Sequence, residues 1–135
     1  MRDYLKIINE NFKDINYRTG EDYIIFSPYF LFPESHNGIA IMIREDELGR
    51  PILSDCHTTL DYLDDMEIDL NLFQEKFEKI KNRYGFSLEE RTIKMIVPTD
   101  QDDYFIKYLG YLIQAISLIA NIDIWKKYFN KNMKF

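Results

Sequence analysis

A single cysteine, Cys56, in a chain of 135 residues leaves no intrachain disulfide framework and no four-cysteine zinc site. Glycine and proline are scarce, 5 and 4, and aromatics make up 16%, the reverse of a disorder-prone composition. The glycines stand singly, so there is no GxxxxGK or GxGxxG loop to cradle a phosphate. No uninterrupted apolar run is long enough for a spanning helix, which needs about 20 residues. The longest apolar stretch, 108–125, is broken by Gln114, Ser117, Asn121 and Asp123, polar groups that are costly at bilayer depth. The opening MRDYLKIINENF lacks the continuous apolar core of a signal peptide. These absences predict a cytoplasmic protein with no membrane contact. Basic charge is also short: 17 Lys and Arg against 23 Asp and Glu give a net charge of −6, which speaks against a broad grip on nucleic acid.

What is present suits one folded domain over 1–135: 46% of residues are hydrophobic and 30% charged. Leu5, Ile8, Phe12 and Ile15 recur at helical spacing. The 16–22 segment breaks that pattern. Strands are expected over 23–32, with Pro28 disturbing the middle, over 38–44, where Ile39, Ile41 and Ile43 alternate with Ala40, Met42 and Arg44, and over 51–54. Residues 34–38 read as the hairpin connection, and 45–49 as a second one. Thr58 with Asp61 has capping-box spacing at the start of a short helix carrying Leu60 and Leu63. Leu70, Phe73, Phe77, Ile80 and Tyr84 mark a further helix, with Gly85 placed for a left-handed C-terminal cap. Ile93, Met95 and Val97 return to a period of two, and Pro98 stops the strand. Thr99 and Asp102 form a second capping pair, opening a long apolar helix lined by Phe105, Leu109, Leu112, Ile116 and Ile119. The expected fold is α+β in the order α, β, β, β, α, α, β, α, a sheet of about four strands packed on helices around a C-terminal core helix.

Residues 49–63 (GRPILSDCHTTLDYL) are similar to the "Leu-Ser/Thr-Asp-Asp-Gly-x-Thr-x-x-x-Leu" signature of the bacterial and phage family called domain of unknown function 1828. Ser27-Pro28-Tyr29, Arg83-Tyr84-Gly85-Phe86 and Leu112-Ile113-Gln114-Ala115-Ile116 extend the resemblance over about residues 24–120. Asp55 and Thr59 match signature positions; Cys56 and His57 stand where the family has a second Asp and a Gly, so a role of that acidic pair does not transfer whole. The resemblance implies context and no reaction: a small product of phages or mobile elements, encoded near defence or toxin-related genes.

Several side-chain groups invite chemistry. Asp55-Cys56-His57 sets a thiol beside an imidazole at a helix start, where a thiolate would be stabilised. Neighbouring strand residues point to opposite faces, however, so the plainer reading has Asp55 capping the turn and Cys56 filling a small buried site. His36, His57 and Cys56 show no recognisable metal-ligand spacing. Asp22, Asp55 and Lys94 are the set a metal-dependent nuclease would draw on, although their spacing does not demand it. No catalytic residue, metal or cofactor is expected.

Charge is uneven along the chain. Between Asp55 and Glu78 lie eight acidic residues and one basic one, Lys76. Asp61, Asp64, Asp65, Glu67 and Asp69 are either a solvated face or an array that docks on a basic partner. In the segment 124–135, Trp125, Lys126, Lys127 and Tyr128, followed by Phe129, Lys131, Lys134 and Phe135, form a basic aromatic tail. It suits binding a strand of nucleic acid by charge and stacking, partner docking, a homodimer contact or cover for the protein's own core. The expected function is a non-enzymatic accessory protein that binds and inhibits a host protein with a basic surface, such as a nucleic-acid-handling defence component. The alternatives are an antitoxin or immunity protein, or a nucleic-acid-processing domain acting through Asp55.

Overall fold

The computed structural model describes residues 3–12, 15–28, 32, 38–99 and 101–123. Among them, one antiparallel sheet contains β1 (Asn16–Thr19), β2 (Ile24–Ser27), β3 (Ile41–Glu45), β4 (Pro51–Ser54), β5 (Ser87–Glu89) and β6 (Thr92–Ile96), in the order β1-β2-β3-β4-β6-β5. The helices are α1 (Tyr4–Asn11), α2 (Thr58–Asp65), α3 (Gln74–Tyr84), entered through a 3-10 turn at Leu70–Phe73, and α4 (Asp102–Ala120). The fold is α+β, with six strands rather than about four.

The two extra strands are β1 and β5, the outer strands of the sheet. Every residue of both is exposed, so neither shows the apolar alternation that reveals a half-buried strand. Three other expected bounds also contract. β3, expected over 38–44, begins only at Ile41, where pairing with Phe26 of β2 starts. β2 stops at Ser27, before Pro28, which has no N–H to continue a ladder. α1 ends at Asn11, where Phe12 turns extended, so its buried residues are Tyr4, Ile7 and Ile8 instead of the expected stripe through Ile15.

Pairing places the residues of successive strands into rows on two faces. Ile24, Ile43, Leu53 and Met95 lie side by side on one face, with Phe26, Ile41, Ile93 and Val97 around them, and all are buried. α4 lies over this face. Its Phe105, Leu109, Leu112, Ile116 and Ile119 are each 0% exposed, and Tyr4 of α1 packs its ring 4.9 Å from that of Phe105. The helical period of those five residues supplies the apolar stripe, and burial of such side chains dominates the stability of the fold. α3 packs in turn on α4, with Tyr84 edge-on to Tyr111. Gly85 ends α3 at φ 72° and donates its N–H to the Lys81 carbonyl, the left-handed cap its position predicts. None of the helices among the described residues is long and apolar enough to cross a membrane.

Neither expected capping box forms. Thr58 Oγ1 donates to the Asp55 carbonyl at 2.6 Å instead of accepting from within α2. At α4 the cap residue is Gln101, and Thr99 Oγ1 accepts from the Gln101 N–H at 3.3 Å. At α2 the Thr58 hydroxyl is taken up by the upstream turn, and at α4 the Thr99 hydroxyl is taken up by the Gln101 N–H.

Candidate functional site

The passage from β4 into α2 is the most densely bonded turn in the described chain. At Asp55 the strand leaves the sheet. Its N–H still donates to the Ile93 carbonyl of β6 at 3.2 Å, as an antiparallel ladder requires. Its own carbonyl has turned toward α2, accepting from the Thr58 N–H and hydroxyl. The carboxylate takes over the vacated ladder position: Oδ1 accepts from the Ile93 N–H at 2.9 Å and from the His57 N–H at 3.0 Å, and Oδ2 from the Thr59 N–H at 3.2 Å. Asp55 is 0% exposed. One side chain thus joins sheet to helix and satisfies three buried or partly buried backbone donors, which accounts for an acid in the core. This engagement, and the lack of solvent access, make Asp55 a structural residue and leave it poorly placed to hold a metal or activate water. Beside it, the buried Thr59 hydroxyl has no hydrogen-bond partner among the described residues.

Cys56 and His57 follow with φ of 55° and 54°, a left-handed pair without glycine. Such backbone costs on the order of 1–3 kcal/mol per residue and persists only where the surroundings over-determine it; the three bonds to Asp55 do so. The half-buried Cys56 thiol is pushed above its ordinary value by burial and by the Asp55 charge, against smaller opposing effects of Ser54, Arg44 and Arg18. That is the reverse of an activated nucleophile. Native Cys56 is therefore expected to alkylate more slowly at pH 7 than an unstructured cysteine peptide. Its rate should still be rising where the peptide has levelled off, and a pH profile with iodoacetamide checks this.

His57 is committed elsewhere. Its Nδ1 lies 2.9 Å from Asp61 Oδ2, and Arg91, in the β5–β6 turn, reaches Asp61 Oδ1 at 3.3 Å and Asp64 Oδ2 at 2.5 Å. Glu90 and Arg91 form a second left-handed pair, with φ of 49° and 68°, and the Arg91 bonds tie that turn to α2. The hydrogen bond from His57 lowers the Asp61 pKa, against a smaller opposing effect of burial and with help from Arg91. Two residues of the acidic run, Asp61 and Asp64, are thus partly neutralised from within. The i, i+4 spacing of His57 and Asp61 was visible in the sequence, whereas Arg91 lies 30 residues from Asp61 and nothing local announces it.

Asp65 and Glu67 make no ion pair among the described residues and are exposed. Asp65 rims a cleft of about 190 Å³ lined by Phe32, Gly38, Thr58, Asp61, Tyr62 and Met66. Its aromatic wall is a stacked pair, the Phe32 and Tyr62 rings lying 4.6 Å apart and 10° from parallel. Asp69 accepts from the Asn71 N–H at 3.0 Å and caps the 3-10 turn. A second cleft, about 340 Å³, opens between Leu72, Phe73, Lys76 and Lys79.

The nuclease-type set does not assemble. Asp22 precedes β2, whose Ile24 pairs with Ile43 and through it aligns with Leu53, while Asp55 lies beyond the other end of that row. Their separation along the strands alone is about 13 Å, four residues at roughly 3.3 Å each. Lys94 is paired with Glu89 at 3.0 Å. Among the described residues, no three His, Cys, Asp or Glu side chains are grouped so as to hold a metal ion. His36 and the tail residues Trp125, Lys126, Lys127 and Tyr128 lie outside the described residues. Comparison of the chain with protein-family models, with curated proteins and with solved structures returns no match.

Proposed function

We propose that the protein is a non-enzymatic binding factor that docks the α2 face on a basic surface of another protein and thereby inhibits it. The observation that carries this reading is the aromatic cleft rimmed by Asp61 and Asp65. A guanidinium or ammonium group entering it would meet the exposed margins of the stacked Phe32 and Tyr62 rings, which are 4% and 6% exposed. It would also meet a carboxylate that makes no ion pair among the described residues, Asp65. Glu67 extends the negative field at the helix exit, and Asp61 and Asp64, partly neutralised by His57 and Arg91, add less to it, which together favours encounter with a basic partner. Proteins that handle nucleic acid carry a basic surface of that kind. The resemblance to the phage and mobile-element family supports a host defence component as the target. An antitoxin or immunity role would use the same face and differ only in the partner.

The test is affinity capture from host lysate with the wild-type chain and with the Asp65→Asn/Glu67→Gln variant. These two positions leave the Arg91 pairs intact. A basic, nucleic-acid-handling protein retained by the wild type and depleted with the variant is the expected outcome. Equal retention by both would remove the α2 face from the interface.

A further inference from the structure

The sheet has a second face, and its charge is opposite to that of the molecule. Strand pairing turns Arg18 and Ile25, Met42 and Ser54, and Lys94 and Ser87 outward in one row across the sheet; Arg44, Ile52 and Ile96 form the next row. Of the side chains that the six strands turn outward, Arg18, Arg44 and Lys94 are cationic and Glu89 alone is acidic, in a chain of net charge −6. Lys94 pairs with Glu89, whereas Arg18 and Arg44 have no carboxylate partner among the described residues. Arg44 instead lies 5.9 Å above the Tyr23 ring, and that ring occupies the space over Gly20, where a Cβ would come within 2.0 Å of it. Between the cations run Ile25, Met42 and Ile52, half-buried, and Ile96, 51% exposed. No described helix packs on this face; the helices take the side of Ile43, Leu53 and Met95.

The spacing points to the ligand. β1, β3 and β6 are alternate strands of the sheet, so their cations recur about every 10 Å across it, two strand spacings of roughly 4.8 Å. Arg18 and Lys94, which share a row, are therefore about 19 Å apart, four strand spacings, with Arg44 midway on the other flank. Carboxylates fourteen residues apart on one flank of an α-helix recur about every 21 Å. Arg18 and Lys94 stand in one row and Arg44 in the neighbouring row, roughly 7 Å along the strands. They would flank a helix axis that crosses the strands over the aliphatic residues. Aliphatic side chains with Met and Arg are typical of the core of a protein interface, whereas a single-stranded nucleic acid would call for several stacking aromatics. We propose that this face is a second docking surface, distinct from α2, that receives an amphipathic helix of a partner protein carrying acidic residues on both flanks of an apolar stripe.

The probe is a synthetic helix of about 18 residues with Leu at i, i+3, i+4 and i+7 and flanking Glu, titrated into the isotope-labelled full chain and followed by amide chemical shifts. The acidic peptide should shift Ile25, Met42, Ile52 and Ile96, and the same peptide with Lys for Glu should not. Arg18→Glu/Arg44→Glu should weaken binding about tenfold or more. Arg18→Gln/Arg44→Gln, which is gentler on folding, should weaken it less but in the same direction. Asp65→Asn/Glu67→Gln should bind the peptide like the wild type, which separates this surface from the α2 reading. Shifts confined to other residues, no binding, or an oligodeoxythymidine that occupies the face where the acidic peptide does not would each overturn the proposal.

Discussion

Asp55→Ala is expected to destabilise the protein by about 3–5 kcal/mol, because three N–H groups lose their acceptor at once and each stranded buried donor costs about 1–3 kcal/mol before relaxation. The Ile93 N–H sits inside the sheet, the Thr59 N–H opens α2, and the His57 N–H holds the left-handed turn. Losing all three loosens the join between β4, β6 and α2 together. Asp55→Asn should fall between wild type and Ala, since an amide oxygen at the Oδ1 position still accepts from His57 and Ile93, while its NH₂ faces the Thr59 N–H. Denaturant unfolding of the three proteins gives the order. A loss below about 1 kcal/mol for Ala would show that the carboxylate is not the join. For comparison, Asp61→Asn removes only exposed pairs to His57 and Arg91 and should cost well under 1 kcal/mol.

Leu112→Ala should cost about 2–5 kcal/mol, the range for a large aliphatic side chain removed from a packed core. Leu112 is 0% exposed near the middle of α4, among residues equally buried on both sides of it along the helix. The surrounding side chains come from sheet and helices alike, so the cavity has little freedom to collapse. Gln114, exposed two residues further on, provides the contrast: Gln114→Ala on the same helix should change stability by less than about 0.5 kcal/mol. Thermal or denaturant unfolding of both variants checks the pair. Equal small losses would mean that α4 does not form the core.

The core faces were legible because they are periodic. Ile39, Ile41 and Ile43, then Ile93, Met95 and Val97, alternate in sequence and are all buried, and the α4 stripe follows the helical period residue for residue. β1 and β5 were not legible, since strands exposed along their whole length carry no hydrophobic signal and are defined only by the neighbour they pair with. At the candidate site, the structural part of Asp55 was foreseen as a turn cap, but not its bond to Ile93, which depends on a strand 38 residues away. The same limit applies to Arg91. The sequence reading put Asp61 in a capping box or on the acidic face with Asp64, and only the folded β5–β6 turn brings the Arg91 guanidinium to both. All five acidic residues of the run are exposed, and Asp65 and Glu67 differ from Asp61 and Asp64 in making no ion pair among the described residues.

The α2 face is the centre of the functional account, and association kinetics test it most directly. With a partner protein obtained by capture, the association rates of wild type and of Asp65→Asn/Glu67→Gln are compared at low and at physiological salt. Exposed charges act beyond contact only within the screening length, about 8 Å at physiological ionic strength, and rim charges act mainly on the encounter rate. The account predicts a variant that associates roughly two- to tenfold more slowly at low salt, with the gap narrowing as salt is added and the fold unchanged. Equal association rates at both salt concentrations would contradict it.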